Sequence, residues 1–366
     1  MKSPTEYINK LVRKEIRDLS AYHVADPGEM IKLDAMENPY GLPQKVLDEL
    51  DSRLKQAALN RYPDPNATKL KQRITESMAI PEDLDITLGN GSDELILMLL
   101  MALSGAQTES GNCKPVLSVS PSFVMYKISS ISVGIPYVDV ALADDFSLDM
   151  DAMLAAIKKH DPALIFLAHP NNPTGNRFPK EDIEKIIQAS NGLVVIDEAY
   201  QPFSDFSFVS EIEKYPNAVL ISTVSKMGLA GLRLGVLIGH PEWVNELEKV
   251  RLPYNINILT QIVAEYALEH KQLFDEQTQS ICKDRELMFQ QLSDIAEITP
   301  YPSQANFILF KLENADADQV FQSLKDQGVL IKNLNPSGGL LADCLRVTIG
   351  SPEENKAFLE ALNNSL

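Results

Sequence analysis

The stretch that decides the fold is Ala163-Leu164-Ile165-Phe166-Leu167-Ala168-His169-Pro170-Asn171-Asn172-Pro173-Thr174-Gly175, followed by Leu193-Val194-Val195-Ile196-Asp197-Glu198-Ala199-Tyr200. Each half is a short, continuously apolar run that ends in polar residues. A run without polar alternation reads as a strand covered on both faces, the habit of parallel sheets. Between the halves, residues 180–189 follow Pro179 and carry a helical pattern. Strand, helix, strand in that order is the unit of a mostly parallel α/β sheet.

Working outward, the same texture appears at residues 115–120, 218–222 and 234–239, so five strands are legible. After Trp243 the pattern changes. A long helical stretch covers about 258–292, then a smaller αβ pattern follows: strands at 306–310, 329–331 and 345–349, a helix through 320–326, and a last helix. The expected division is an N-terminal arm at 1–45, packed against the small domain and a dimer partner, a large domain at 46–255, and a small C-terminal domain at 256–366. The chain of 366 residues is long enough for such an arrangement.

Composition excludes several classes of function. With 45% hydrophobic and 23% charged residues the chain is globular in character. A net charge of -18, from 33 basic and 51 acidic residues, argues against nucleic acid or an anionic membrane as partner, since both require a basic footprint. The three cysteines are far apart, with no metal-binding spacing, and fit a reducing compartment. The polar N-terminus does not read as a signal peptide, and the apolar run at 95–103 is too short to span a bilayer. A cytoplasmic protein is expected.

In open parallel sheets ligands bind beyond the carboxyl ends of the strands. Three polar motifs fall there: Asn172 after one strand, Asp197 and Tyr200 after the next, and Ser222-Thr223-Val224-Ser225-Lys226 after a third. A fourth, Gly89-Asn90-Gly91-Ser92-Asp93-Glu94, opens the helix that starts near Leu95. Alone, each has a plainer reading: a turn, a helix start, a solvated lysine, a cap. Together they supply what pyridoxal chemistry requires. A lysine amine takes the cofactor aldehyde, and a carboxylate keeps the ring nitrogen protonated. An amide and a phenol donate to the ring oxygen. Glycines, hydroxyls and a helix N-terminus hold the phosphate.

The ordered set Asn172-Pro173-Thr174-Gly175, Asp197-Glu198-Ala199-Tyr200, Ser225-Lys226 and Arg346 resembles the class I/II aminotransferases, pyridoxal 5'-phosphate (PLP) enzymes of fold type I. More narrowly, Leu33-Asp34-Ala35-Met36-Glu37-Asn38-Pro39-Tyr40-Gly41, Arg61-Tyr62-Pro63-Asp64 and Gly228-Leu229-Ala230-Gly231-Leu232-Arg233-Leu234-Gly235 are similar to the histidinol-phosphate aminotransferases. The resemblance covers nearly the whole chain. It implies a seven-stranded, mostly parallel sheet in the large domain and a homodimer. It also implies a ping-pong transamination between L-glutamate/2-oxoglutarate and imidazole acetol phosphate/L-histidinol phosphate.

Residue by residue, the resemblance makes Lys226 the Schiff-base lysine and catalytic base, and pairs Asp197 with the ring nitrogen. Asn172 and Tyr200 would bind the ring oxygen, and Phe123 would stack on the ring. Gly91, Ser92, Asp93, Thr223, Ser225 and Arg233 would surround the phosphate, and Tyr62 would reach the neighbouring subunit's cofactor. Tyr22, Asn38, Arg346 and Lys332 would meet the substrate, with Lys332 standing where some relatives carry an arginine. An aromatic aminotransferase and a PLP-dependent threonine-phosphate decarboxylase share this machinery and are the alternatives. A fold-keeping binding protein is a third, opposed by the intact Lys226, Asp197, Asn172 and Tyr200.

Overall fold

The structure, a computed structural model, describes residues 3–21, 24–108 and 110–366. Strand β1 (Ile31–Lys32) belongs to the N-terminal segment. The central sheet then collects β2 (Asp85–Asn90), β3 (Val116–Ser120), β4 (Tyr137–Ala141), β5 (Leu164–Ala168), β6 (Leu193–Asp197), β7 (Ala218–Thr223) and β8 (Leu234–Gly239). Their spatial order is β2-β8-β7-β6-β5-β3-β4. Strands β3 to β7 pair in parallel. Strand β8 pairs antiparallel with both β7 and β2. It therefore runs back through an otherwise unidirectional sheet, and Arg233, which precedes its strand, reaches the same edge as residues that follow theirs.

Every residue of β5, β6, β7 and β8 is buried. Helices cover both faces. Leu95, Leu99 and Tyr126 pack on one side, and Leu70, Met153 and Ile183 on the other. Each such fully buried large side chain contributes roughly 1.5–3 kcal/mol relative to exposure. Two sheet strands, β2 and β4, lie outside the five apolar runs read from the sequence. Strand β2 includes Thr87, Gly89 and Asn90, and β4 is a half-exposed edge with Asp139 facing out, so neither carries an unbroken apolar run.

A second sheet of β9 (Ile298–Pro300), β10 (Phe307–Leu312), β12 (Lys332–Asn333) and β13 (Cys344–Thr348) has order β12-β13-β10-β9 and is antiparallel throughout. Strand β11 (Val329–Leu330) pairs instead with β1, in parallel. Leu33, just after β1, packs into the core under the second sheet with Phe307 and Val347. Farther upstream, the Arg13 guanidinium donates to the carbonyls of Ile131 and Ser132, on a helix flanking the central sheet. The N-terminal segment thus touches both bodies.

The helix expected over 258–292 is two helices, Ile258–Glu269 and Lys271–Ser293, broken at His270. Ala264, Ala267 and Phe274 fill the central sheet's core, whereas Ile281, Met288 and Leu292 fill the second core. By packing, the first of these helices sides with the large body, although the sequence division at 255/256 put it with the small one. No glycine or proline marks the break; it is set by which core each half must face.

Candidate active site

Strand β2 runs out through Gly89 and Asn90, and the helix Ser92–Leu103 begins at once. Gly91 has φ +82°, and a Cβ there would lie 2.6 Å from Arg233 Nη2. Gly235 of β8 sits between Gly89 and Thr223 in the sheet. A Cβ on Gly235 would lie 2.7 Å from the Gly91 carbonyl carbon and from Ser92 N. The loop lies flat over β8 because position 235 has no side chain. No side chain caps the helix, and its first turn, Ser92 and Asp93, lines the pocket. An uncapped N-terminus offers free N–H groups and a positive dipole end to an anion.

The rest of that anion site comes from the β7–β8 connection. Thr223 Oγ1 donates to the Leu234 carbonyl at 2.9 Å and accepts from Ser225 N at 3.1 Å. Arg233, in the left-handed region at φ 50°, turns its guanidinium onto Asp93 Oδ2 at 3.1 Å. Gly91, Ser92, Asp93, Thr223, Ser225 and Arg233 are brought together at this edge.

Asp197 ends β6 and is 4% exposed. Its carboxylate accepts from Tyr126 Oη at 2.7 Å and from Ala199 N at 3.1 Å. Burial nevertheless pushes it up to about 6 against those two hydrogen bonds. Lys226 moves the other way: burial, then the nearby Arg346 cation, bring it down to about 8. Its Nζ lies 3.5 Å from the Ala35 carbonyl and 5.6 Å from the centre of the Tyr200 ring. Asn172 Nδ2 donates to Tyr200 Oη at 3.2 Å, and both side chains are buried. Phe123 lines the same pocket, edge-on to Tyr126.

Arg346 comes from the second sheet. Its Nη1 donates to Asn172 Oδ1 and its Nη2 to the Asp34 carbonyl, while the guanidinium lies 5.0 Å from the Phe307 ring centre. Lys332 is directly opposite Arg346 in the β12–β13 register. Opposed residues of an antiparallel pair share a face, so the two basic side chains leave the sheet on the same side. Asn38 is turned to structure: its Nδ2 donates to the Met227 carbonyl and to Gln277 Oε1, and its Oδ1 accepts from Tyr40 N. It holds the turn after Lys226 and is not among the residues that line the pocket. Tyr62 is also outside its own chain's pocket; its ring is 79% exposed and stacks on Tyr254 at 4.4 Å. Tyr22 lies outside the described residues.

The arrangement can hold an anion at the helix start with Arg233, a cationic ring nitrogen at Asp197, and an anionic oxygen at Asn172 and Tyr200. It sets an amine of lowered basicity among them. The family Aminotransferase class I and II matches residues 28–362. The chain belongs to that family. It is 51% identical to histidinol-phosphate aminotransferase 2 of Nitrosococcus oceani over 351 residues, 96% of each chain. Among solved structures it is similar to the histidinol-phosphate aminotransferase of Clostridium acetobutylicum, with a TM-score of 0.82, 26% identity and coverage of 92% of this chain and 98% of that one. It shares its fold with that of Sinorhizobium meliloti, solved in complex with pyridoxal-5'-phosphate, at a TM-score of 0.84 and 24% identity over 97% of both chains.

Among the residues of this aminotransferase's pocket that were not read from the sequence as site residues, Tyr126 and Met36 matter most. Tyr126, stacked on Phe166 at 4.5 Å, braces Asp197. In the sequence it looks like any core aromatic, one helical turn after Phe123. Met36 lines the pocket from a backbone at φ 54°. The chain crossing that puts it there, at residues 34–38, has no local signal of its destination.

Proposed function

We propose that the chain is a histidinol-phosphate aminotransferase that carries an amino group between L-glutamate and imidazole acetol phosphate with PLP as cofactor. The observation that carries the reading is the meeting in one pocket of Lys226, Asp197, Asn172, Tyr200 and the anion site at the helix start, where burial lowers the amine to about 8 and raises the carboxyl to about 6. Opposite displacements of an acid and a base in one cleft are what proton-transfer catalysis needs. The donor set fits the cofactor: the cradle that a Cβ at Gly91 or Gly235 would fill suits its phosphate, and Asp197 suits a protonated ring nitrogen.

When bound, PLP supplies an aldehyde to take up the substrate amine and a ring that delocalises electrons from the substrate carbon. The residues do the rest. Asp197 Oδ holds the proton on the ring nitrogen. Asn172 and Tyr200 orient the ring oxygen, and Lys226 Nζ takes and returns the proton at the substrate carbon. Lowering an amine from 10.5 to about 8 raises its neutral fraction near pH 7 by on the order of 10²-fold.

The substrate reading rests on the relatives' shared name and on the anion grip. Arg346 offers a fork to a carboxylate or a phosphate, and Lys332 on the same face adds the charge a phosphate carries beyond a carboxylate. Through Asn172 the grip is tied to the group that orients the ring oxygen. We further read the protein as a cytoplasmic homodimer. Leu59, Tyr62, Leu252 and Tyr254 are all exposed and the two aromatic rings stack on each other, and exposed apolar surface of this kind favours cover by a partner. In the dimer Tyr62 would complete the neighbour's phosphate site.

A half-reaction tests the reading. The visible band of PLP-loaded protein is followed after adding L-histidinol phosphate, glutamate, phenylalanine or threonine phosphate one at a time. Rapid bleaching by the first two, with little from the others, is expected. Bleaching by phenylalanine in preference to histidinol phosphate, or release of carbon dioxide from threonine phosphate, overturns the substrate.

A further inference from the structure

A second cavity, of ≈ 320 Å³, lies behind the end of the strand that leads to Lys226. That is within the range of small-molecule sites, roughly 300–1,000 Å³. Ile74, Met78 and Leu268 give it an apolar wall. Its lining also includes two hydroxyls, on Ser222 of β7 and Thr278 of helix Lys271–Ser293, in residues that are 8% and 7% exposed. Among the described residues neither hydroxyl has a hydrogen-bond partner in the protein. Both residues line the cavity, so their unbonded hydroxyls are open to it and can bond a polar occupant.

The same cavity is bordered by an ion pair. Lys271 Nζ lies 2.7 Å from Asp275 Oδ2, and the two side chains are 41% and 47% exposed. A half-exposed pair one helical turn apart contributes little to stability and opens readily. Opened, it presents an ammonium and a carboxylate a few ångströms apart, the complement of the two charges on an α-carbon.

We propose that this cavity is a ligand site for a free α-amino acid with an uncharged, hydrogen-bonding side chain. The α-carboxylate sits on Lys271 and the α-ammonium on Asp275. The aliphatic part packs on the Ile74–Leu268 wall, and the polar end reaches Ser222 and Thr278. The site is separate from the catalytic pocket and borders it: Thr223 lines both cavities, and Met227, the neighbour of Lys226, lines this one. An occupant therefore bears on the segment that carries Lys226 without entering the active site.

The test is calorimetric titration of PLP-loaded protein with L-glutamine, with L-leucine as an apolar control of similar size. Active-site binding is separated by substitution, because Lys271→Met and Thr278→Val alter only the second cavity. The expected result is a saturable component of one L-glutamine per chain, weakened at least tenfold by each substitution, with the glutamate half-reaction unchanged in both variants. Absence of that component, its survival in both variants, or equal binding of L-leucine overturns the proposal. A component that persists in protein that fails the glutamate half-reaction would uphold this site while removing the proposed reaction.

Discussion

Asp197 shows how a single position serves function against stability. Its carboxyl stands at about 6 because burial outweighs the hydrogen bonds from Tyr126 and Ala199. The unfolded chain keeps such a group near its ordinary value of about 3.9. A raised folded value means its stability contribution is whole below the unfolded value and is lost as pH rises through about 6. In cofactor-free protein at pH 8, Asp197→Asn should therefore stabilise, by about 3 kcal/mol, since an amide can accept from Ala199 N and donate to Tyr126 Oη. The advantage should shrink as the pH drops below 6, and turnover of the PLP-loaded variant should be lost. Thermal melts at pH 8 and pH 5 measure this. A variant less stable at pH 8 would show that the carboxylate is not strained by burial.

At the scale of elements, the decisive piece is the crossing of the Gly91–Ser92 loop over β8. The atoms nearest to where a Gly235 Cβ would be all belong to the Gly91–Ser92 peptide, its carbonyl carbon and its nitrogen both at 2.7 Å. Neither neighbour is the flexible end of a side chain, so the loop itself must move. Gly235→Ala should cost about 1–3 kcal/mol and should loosen phosphate retention, because the helix N-terminus shifts with the loop. Gly231→Ala, where nothing lies within 4 Å of a Cβ, serves as the matched control and should be close to neutral. Chemical denaturation of both variants decides the matter. Equal midpoints would mean the loop does not rest on β8 as described.

At the scale of the molecule, the active site is a seam. Lys226 comes from the central sheet, Arg346 from the second, and Ala35 and Asp34 from the N-terminal segment that touches both. The proposed dimer adds a fourth contributor. Tyr62→Phe keeps the ring stacked on Tyr254 and removes only the hydroxyl. It should leave the dimer intact while weakening PLP retention by about tenfold, the worth of one hydrogen bond to a charged group. Sedimentation and dialysis of the loaded protein read the two effects separately. Unchanged retention would place the hydroxyl outside the neighbour's site.

The residues themselves were enough to announce the large sheet, because strands buried on both faces must be continuously apolar, as residues 163–168 and 193–197 are. They also disclosed the pocket's donors, since polar residues clustered after such strands have a common edge to meet at. Strands β2 and β4, which lack an unbroken apolar run, and the break at His270 left no such trace. The tertiary structure alone decided that β8 runs backward and so delivers Arg233. It alone set Lys332 opposite Arg346, tied Asn38 to the turn after Lys226, and braced Asp197 with Tyr126. Those are relations between distant segments, fixed by which cores fill and which charges find partners. Local patterns record how a segment is buried, not what it is buried against.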